Sequence, residues 1–210
     1  MGQRESEIVE PEGIGAQSST RHVATTEQGS DQRIETPVTT GKATMSITVE
    51  QLTDQDVEDA RAVWNEVVAA GDAFPQTDQL GPEEAAGFFA DQSLTGVARD
   101  TSSGRVLGVY ILHPNNVGRC GHIANASYAV ARASRGQGVG EQLVRHSMGT
   151  AARLGFRILQ FNAVVSTNHS ARALYERLGF VEIGQVPGGF RHDSGDYADI
   201  TLYYADLTRC

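Results

Sequence analysis

Seven residues past the middle of the chain, Arg135-Gly136-Gln137-Gly138-Val139-Gly140-Glu141, constrain it more than any others. They stand between a strand-like stretch ending at Val130 and a run in which Val139, Leu143, Val144 and Leu154 form the apolar face of a helix. A strand must therefore turn into a helix through glycines. Glycine lets a backbone approach an anion closely, and the free amides and dipole of a helix start favour negative charge. The segment is a phosphate cradle, or else a glycine-rich turn that binds nothing. Two nucleotide motifs fail on spacing. A dinucleotide fingerprint counted from Gly136 needs its third glycine at position 141, which is Glu141, and the Lys-Ser/Thr pair of a P-loop is missing.

Elements on either side set this turn in a mixed fold. Residues 1–44 are rich in Glu, Gln, Ser, Thr and Gly, hold no aromatic residue and show no periodicity, so they cannot bury enough surface to offset the entropy of ordering. They read as a disordered extension, which leaves residues 45–210 as one domain. SITVEQL is its first strand. Val57, Ala60, Trp64, Val67 and Val68 mark a helix stopped at Gly71, Phe74-Pro75-Gln76 lies in a loop, and a second helix runs from Pro82 to about Asp91. GVARD and VLGVYIL form a hairpin around Ser103-Gly104, and HIANASYAV adds a third antiparallel strand. After the glycine turn comes a helix to about Leu154, then the strand RILQFNAVV, then a shorter helix from Asn168 to Leu178-Gly179. VEIGQV and YADITLYYADL close the chain around a loop at residues 187–196. This order implies an α/β fold, mixed α+β in layout. A mostly antiparallel sheet carries helices on both faces, with one parallel crossover between the strands near residues 125 and 162.

Charge narrows the function. A formal net charge of -9 argues against a nucleic-acid partner, which would demand a basic face, and fits an amine-bearing substrate better. Cys120 and Cys210 make neither a disulfide framework nor a metal knuckle, and no metal is expected. The start lacks the apolar core of a secretory signal, and no run approaches the roughly 18 apolar residues that span a bilayer. The expectation is a cytoplasmic protein without stable membrane association. Met1, Gly2 and Ser6 do satisfy the short N-myristoylation pattern, which gives only marginal anchoring from one chain.

Arg135, Gly138 and Gly140 also fill the pattern Arg/Gln-x-x-Gly-x-Gly/Ala, and a second motif follows: Asn168-His169-Ser170-Ala171, then Tyr175, then Leu178-Gly179-Phe180. In these motifs, over roughly residues 46–207, the chain resembles the GNAT superfamily of N-acetyltransferases. The resemblance implies the GNAT fold, with its fourth and fifth strands splayed apart and acetyl-CoA as cosubstrate. It implies that the backbone amides of Gly136, Gln137, Gly138, Val139, Gly140 and Glu141, next to Arg135, hold the pyrophosphate. The main chain at Val130 would pair with the pantetheine arm, and its amide or a neighbour's would receive the oxyanion of direct attack. Asn168 would bond the arm, and Tyr175 would protonate the departing thiolate. Ligand-free readings stand beside the last two. Asn168 is also a plain helix cap, and Tyr175 an aromatic residue packing with Leu174 and Leu178.

The acceptor half is less determined. Many family members carry a glutamate on the strand before the pyrophosphate loop as general base, yet HIANASYAV has no carboxylate. Asp196, Asp199 and His192 could stand near the substrate mouth, although solvated loop positions suit them better. Cys120 has no orienting base beyond His122 and is expected to be inert. Asn125 and Asn162 lie mid-strand, where a buried amide must be satisfied. They are expected to face the cleft with Phe74 and to bind a substrate carboxylate or carbonyl, against the reading that they tie down strand ends. With Phe74-Pro75-Gln76, QFNAVVSTN and the closing segment, they liken the chain to two GNAT branches: fungal enzymes acting on proline analogues, and the phosphinothricin-type group. A small amino-acid-like amine, in detoxification or resistance, is the implied substrate. Acetylation of a protein N-terminus or lysine, and a noncatalytic acyl-CoA sensor, are the competing readings. Homodimerisation is common in the family, but no feature of this sequence specifies it.

Overall fold

Thr53 opens the first helical segment with both its polar groups. Its backbone amide and hydroxyl donate to the Asp56 carboxylate at 2.9 and 2.8 Å, forming a 3-10 turn (Asp54–Asp56) that leads into α1 (Val57–Ala70). The structure, a computed structural model, describes residues 46–209, so the expected extension at 1–44, its myristoylation-like start and Cys210 lie outside the described residues. Along α1, Ala60, Val63, Trp64, Val67 and Val68 repeat at helical spacing and all are buried. Gly71 ends the helix by donating its amide to the Val68 carbonyl. The next helix, α2 (Pro82–Ala90), starts on a proline, whose missing N–H would be unpaired there in any case.

The sheet holds seven strands in the order β1-β2-β3-β4-β5-β7-β6. They are β1 (Ile47–Gln51), β2 (Leu94–Asp100), β3 (Val106–Pro114), β4 (Ile123–Val130), β5 (Ile158–Val165), β6 (Val181–Arg191) and β7 (Tyr197–Asp206). The remaining helices, α3 (Val139–Arg153) and α4 (His169–Arg177), follow β4 and β5. Alternation along the strands splits the apolar residues between two cores. Tyr110, Leu112, Leu159 and Phe161 meet α3 and α4 on one face. On the other, Val97, Val109, Ile111 and Ala129 meet α1 and α2. Burying one residue such as Leu143, fully inaccessible on α3, contributes about 1.5–3 kcal/mol. Helix α3 comes this close to β3 because position 108 is glycine: a Cβ there would stand 2.9 Å from Leu143 Cδ1.

Neighbouring strands are antiparallel except β4 and β5, whose parallel ladder holds two register pairs, Ile123↔Ile158 and Ala124↔Leu159. Beyond Ala124 the two strands part. On its other edge β5 follows β7 with one extra residue between Phe161 and Val164, and such a bulge bends a strand. The expected architecture is therefore present, including the splayed pair.

One expected loop is shorter than the sequence suggested. Strand β6 continues through Pro187, Gly188 and Gly189 and re-enters the ladder at Phe190↔Ala198 and Arg191↔Tyr197. A bulge absorbs the proline on this edge strand, with the Gly188 amide turned onto Asp199 Oδ1 at 2.8 Å, so the connection shrinks to residues 192–196. Among the described residues, no helix is long and apolar enough to cross a membrane.

Candidate active site

Where β4 leaves β5, its main chain is left without a partner strand. Val130 stands opposite Gly108 of β3, and Ala131, one residue on, donates to the Leu107 carbonyl. Alternation then turns both polar groups of Val130, and those of Tyr128 two residues earlier, toward β5. Neither residue pairs with β5 there. The gap opens into a cleft of about 940 Å³ whose walls include Val130, Asn125, Phe161, Asn162 and the starts of α3 and α4.

At one end the glycine turn forms its floor. Gly136 and Gly138 have φ of 74° and 83°, a region costly to any residue with a Cβ, and so the chain can turn its amides inward. The first helical bond of α3 runs from the Gln142 amide to the Gly138 carbonyl. The amides of residues 136–141 therefore remain free among the described residues. Ser134 joins them: it is buried at 1% exposure, lines the cleft, and its hydroxyl meets no hydrogen-bond partner among the described residues. Arg135 and Arg177 stand on the same rim, with Arg135 Nε donating to the Val130 carbonyl at 3.5 Å. Glu141 accepts from Arg177 at 2.9 Å and from Arg145 at 2.8 Å, and those two guanidiniums, Arg177 first, hold its carboxyl below the usual carboxylate range. Of the expected cradle, Gln137 alone is absent from the cleft wall. Its side chain folds back to donate to the Ala133 carbonyl at 2.8 Å.

Tyr175 lines the middle of the cleft, held by Phe161 at 4.6 Å and Phe180 at 5.6 Å between ring centroids. Burial pushes its phenol well above the ordinary tyrosine value, and its hydroxyl meets no hydrogen-bond partner among the described residues. The side chain thus packs as an aromatic residue and keeps a protonated hydroxyl. Asn168 does cap α4, its Oδ1 accepting from the Ala171 amide at 3.2 Å, and it also lines the cleft. Tyr128 was not singled out from the sequence, although period-2 alternation with Val130 places it on the same face. Its hydroxyl pairs with Ser147 Oγ at 2.7 Å, and burial raises its phenol strongly.

The far end is walled by the loop after α1. Phe74, 8% exposed, packs on Trp64 with the rings tilted at 40° and centroids 4.4 Å apart. Asn65 fastens the loop by donating to the Leu80 carbonyl and accepting from the Leu80 amide, at 2.9 and 2.7 Å. Asn125 and Asn162 both line the cleft. Asn125 is half-buried, whereas Asn162 is exposed, contrary to the burial expected of it. The strand bulge turns Asn162 outward, and Asn115 and Gln160 engage its amide, so the tying role expected as the alternative is present there. His192, Asp196 and Asp199 do not line the cleft: His192 contacts the Gly71 carbonyl, Asp196 holds Ser194, and Asp199 holds Gly188. The short hairpin turn carries His192 and Asp196 away, and Asp199 lies on β7. Cys120 is exposed on a 3-10 turn outside the cleft.

This arrangement has known counterparts. The sequence profile of the Acetyltransferase (GNAT) family matches residues 58–180, a span that contains the gap, the cradle and Tyr175. The chain belongs to the GNAT acetyltransferase family. Membership makes it an acetyl-CoA-dependent N-acetyltransferase. N-acetyltransferase aca1 of Schizosaccharomyces pombe is 29% identical to this GNAT chain over 155 residues, 66% of this chain and 74% of that protein. A GCN5-related N-acetyltransferase from Kribbella flavida is 36% identical and superposes with a TM-score of 0.71, covering 76% of this chain and 97% of its own. A phosphinothricin acetyltransferase from Sinorhizobium meliloti, solved with acetyl-CoA, reaches a TM-score of 0.71 over 77% of this chain and 88% of its own. At 22% identity, that likeness speaks for the fold.

Proposed function

We propose that this GNAT enzyme acetylates the amine of a small, amino-acid-like molecule, in detoxification or resistance. The observation that carries the reading is the wall at the acceptor end. Phe74 is clamped on Trp64 and its loop is fastened through Asn65, which favours a bounded pocket over the open groove that a peptide needs.

The residues present fit acetyl-CoA. A diphosphate needs donors that lack partners, and the amides of residues 136–141 and the orphaned Ser134 hydroxyl supply them beside Arg135 and Arg177. The main chain of Tyr128 and Val130, without a partner strand toward β5, can take an extended amide-bearing arm as an added strand, and Asn168 lines the same cleft. When bound, acetyl-CoA supplies an activated thioester. The Val130 amide, fixed in β4 and free of any strand, is placed to receive the developing oxyanion. Tyr175 holds its proton at neutral pH and donates it to the leaving sulfur. Strand β4 carries no carboxylate to take the amine's proton, and a chain of waters to solvent would serve in its place.

The reading is tested by following coenzyme A release with a thiol-reactive dye. The panel comprises amino acids, proline analogues, polyamines and short peptides, with Tyr175→Phe run beside the wild type. Release that requires a small amine bears the proposal out. Release only with peptides moves the substrate to a protein terminus or lysine, and tight acetyl-CoA binding without release across the panel makes the chain a sensor.

A further inference from the structure

The cleft carries opposite charges at its two ends. Its charged walls among the described residues, histidine aside, are Arg135, Arg177, Glu141 and Asp72. The first three cluster at the glycine turn, where Glu141 is already paired with Arg145 and Arg177. Asp72 stands apart, on the loop between α1 and α2. It is exposed to solvent at the mouth of the cleft wall and forms no ion pair among the described residues, so its carboxylate is available to a ligand. It also sits just beyond the C-terminus of α1, where a negative charge opposes the helix dipole, so the helix gives no reason for an acid there.

Asp72 lines the cleft together with Phe74, Asn125 and Ser127. Asn125 and Ser127 are two residues apart on β4, in phase with Ala129, which belongs to the core on the α1 side of the sheet. Both therefore project from the face that α1 and its following loop cover. Asp193, the nearest other acid along the hairpin, lines a separate cavity of about 230 Å³ behind Phe74.

We propose that Asp72 reads the acceptor's charge: its carboxylate accepts hydrogen bonds from the ammonium group of a cationic amine and holds that amine at the acceptor end of the cleft. This rests on the acetyl-transfer reading of the same cleft and narrows its substrate class to amines that arrive protonated. The arrangement separates the two substrates by sign, with polyanionic acetyl-CoA drawn to the arginine end and the cation to the other. Asp72 acts here as a specificity residue.

The test uses the whole chain loaded with coenzyme A and measures calorimetric binding of a small alkylammonium, with acetyl-CoA turnover assayed in parallel. Asp72→Asn should weaken ammonium binding about two- to fivefold, the range for a solvent-exposed ion pair, and leave coenzyme A affinity unchanged. Asp72→Glu should retain part of the binding, and Asp78→Asn, on the same loop outside the cleft, should retain all of it. In turnover, the loss should appear in kcat/KM for alkylammonium acceptors and be absent for a hydrazine or arylamine that is neutral at the assay pH. Ammonium binding in Asp72→Asn within twofold of wild type, or no ammonium binding by a wild type that still holds coenzyme A, overturns the proposal. If the wild type binds ammonium through Asp72 but transfers no acetyl group, the charge reading stands and the acetyl-transfer reading fails.

Discussion

Replacing Tyr175 by Phe separates catalysis from stability more cleanly than any other change in this molecule. The hydroxyl meets no protein partner among the described residues, so its removal leaves no buried group orphaned, and the ring keeps its contacts with Phe161 and Phe180. The expected stability change is within about 1 kcal/mol, because an unpartnered hydroxyl leaves while the ring packing is kept. If the hydroxyl delivers the proton to the leaving sulfur, its loss should cost about a hundredfold or more in kcat, the usual scale of general acid catalysis, or about 2.7 kcal/mol of barrier. The Michaelis constant for acetyl-CoA should change little, because the ring still fills its site. The wild-type pH profile adds a check. Burial raises the Tyr175 phenol above its ordinary value of 10.0, so the acid stays protonated through the mildly alkaline range and should cause no fall in kcat up to about pH 10. Stopped-flow thiol release and a thermal melt on the same samples would measure both effects. A kcat within threefold of wild type, with an unchanged melt, would refute Tyr175 as the acid and return it to a packing role.

Gly138→Ala should raise the acetyl-CoA dissociation constant about tenfold, since a Cβ at φ 83° costs about 1–2 kcal/mol where the cradle turns. Gly140→Ala, where the nearest atoms to a new Cβ are 3.6 and 3.9 Å away, should leave binding within twofold; equal effects at the two positions would contradict the geometry. Burial alone would raise the Asp56 carboxyl, but the Thr53 amide, the Arg99 guanidinium and the Thr53 hydroxyl outweigh it and lower its pKa below 3.8. Its contribution is thus present above the unfolded value and lost as pH falls through the folded one. Asp56→Asn should cost about 1.5–3 kcal/mol at pH 7 and flatten the acid limb of the stability curve below about pH 4, as read by denaturant melts. Gly96→Ala should destabilise by about 1–3 kcal/mol, because its Cβ would stand 2.3 Å from a Tyr110 ring atom, and a lowered melting temperature would record it.

Much of this architecture is legible in sequence because local rules and tertiary packing agree. The spacing of Ala60, Trp64, Val67 and Val68 on α1, and the Gly136 and Gly138 turn, each allow one outcome, and the structure adopts it. The reading fails where a residue's surroundings are set by distant chain. Asn162 looks like a buried strand amide until the bulge in β5 turns it to Asn115. Pro187-Gly188-Gly189 looks like a loop, yet pairing with β7 carries the strand through it. Ser134 and Asp72 carry no periodic or motif signal at all. A serine in a turn reads as solvated until the fold buries it, and an acid after a helix gives no local sign that it lines a cleft.

The short parallel ladder has a further consequence for how long the enzyme lasts in a cell. With β4 and β5 joined at two positions, the sheet is closed at its base and open above, and an acetyl-CoA arm lying along β4 would complete it. A ligand bound only by the folded chain adds about 2.7 kcal/mol of stability at a hundred times its dissociation constant. Chain opening, and with it exposure to proteases, would then rise as acetyl-CoA becomes scarce. The abundance of the enzyme would follow the acetyl supply of its host, with no dedicated regulator, because the metabolite serves as a removable part of the protein's own scaffold.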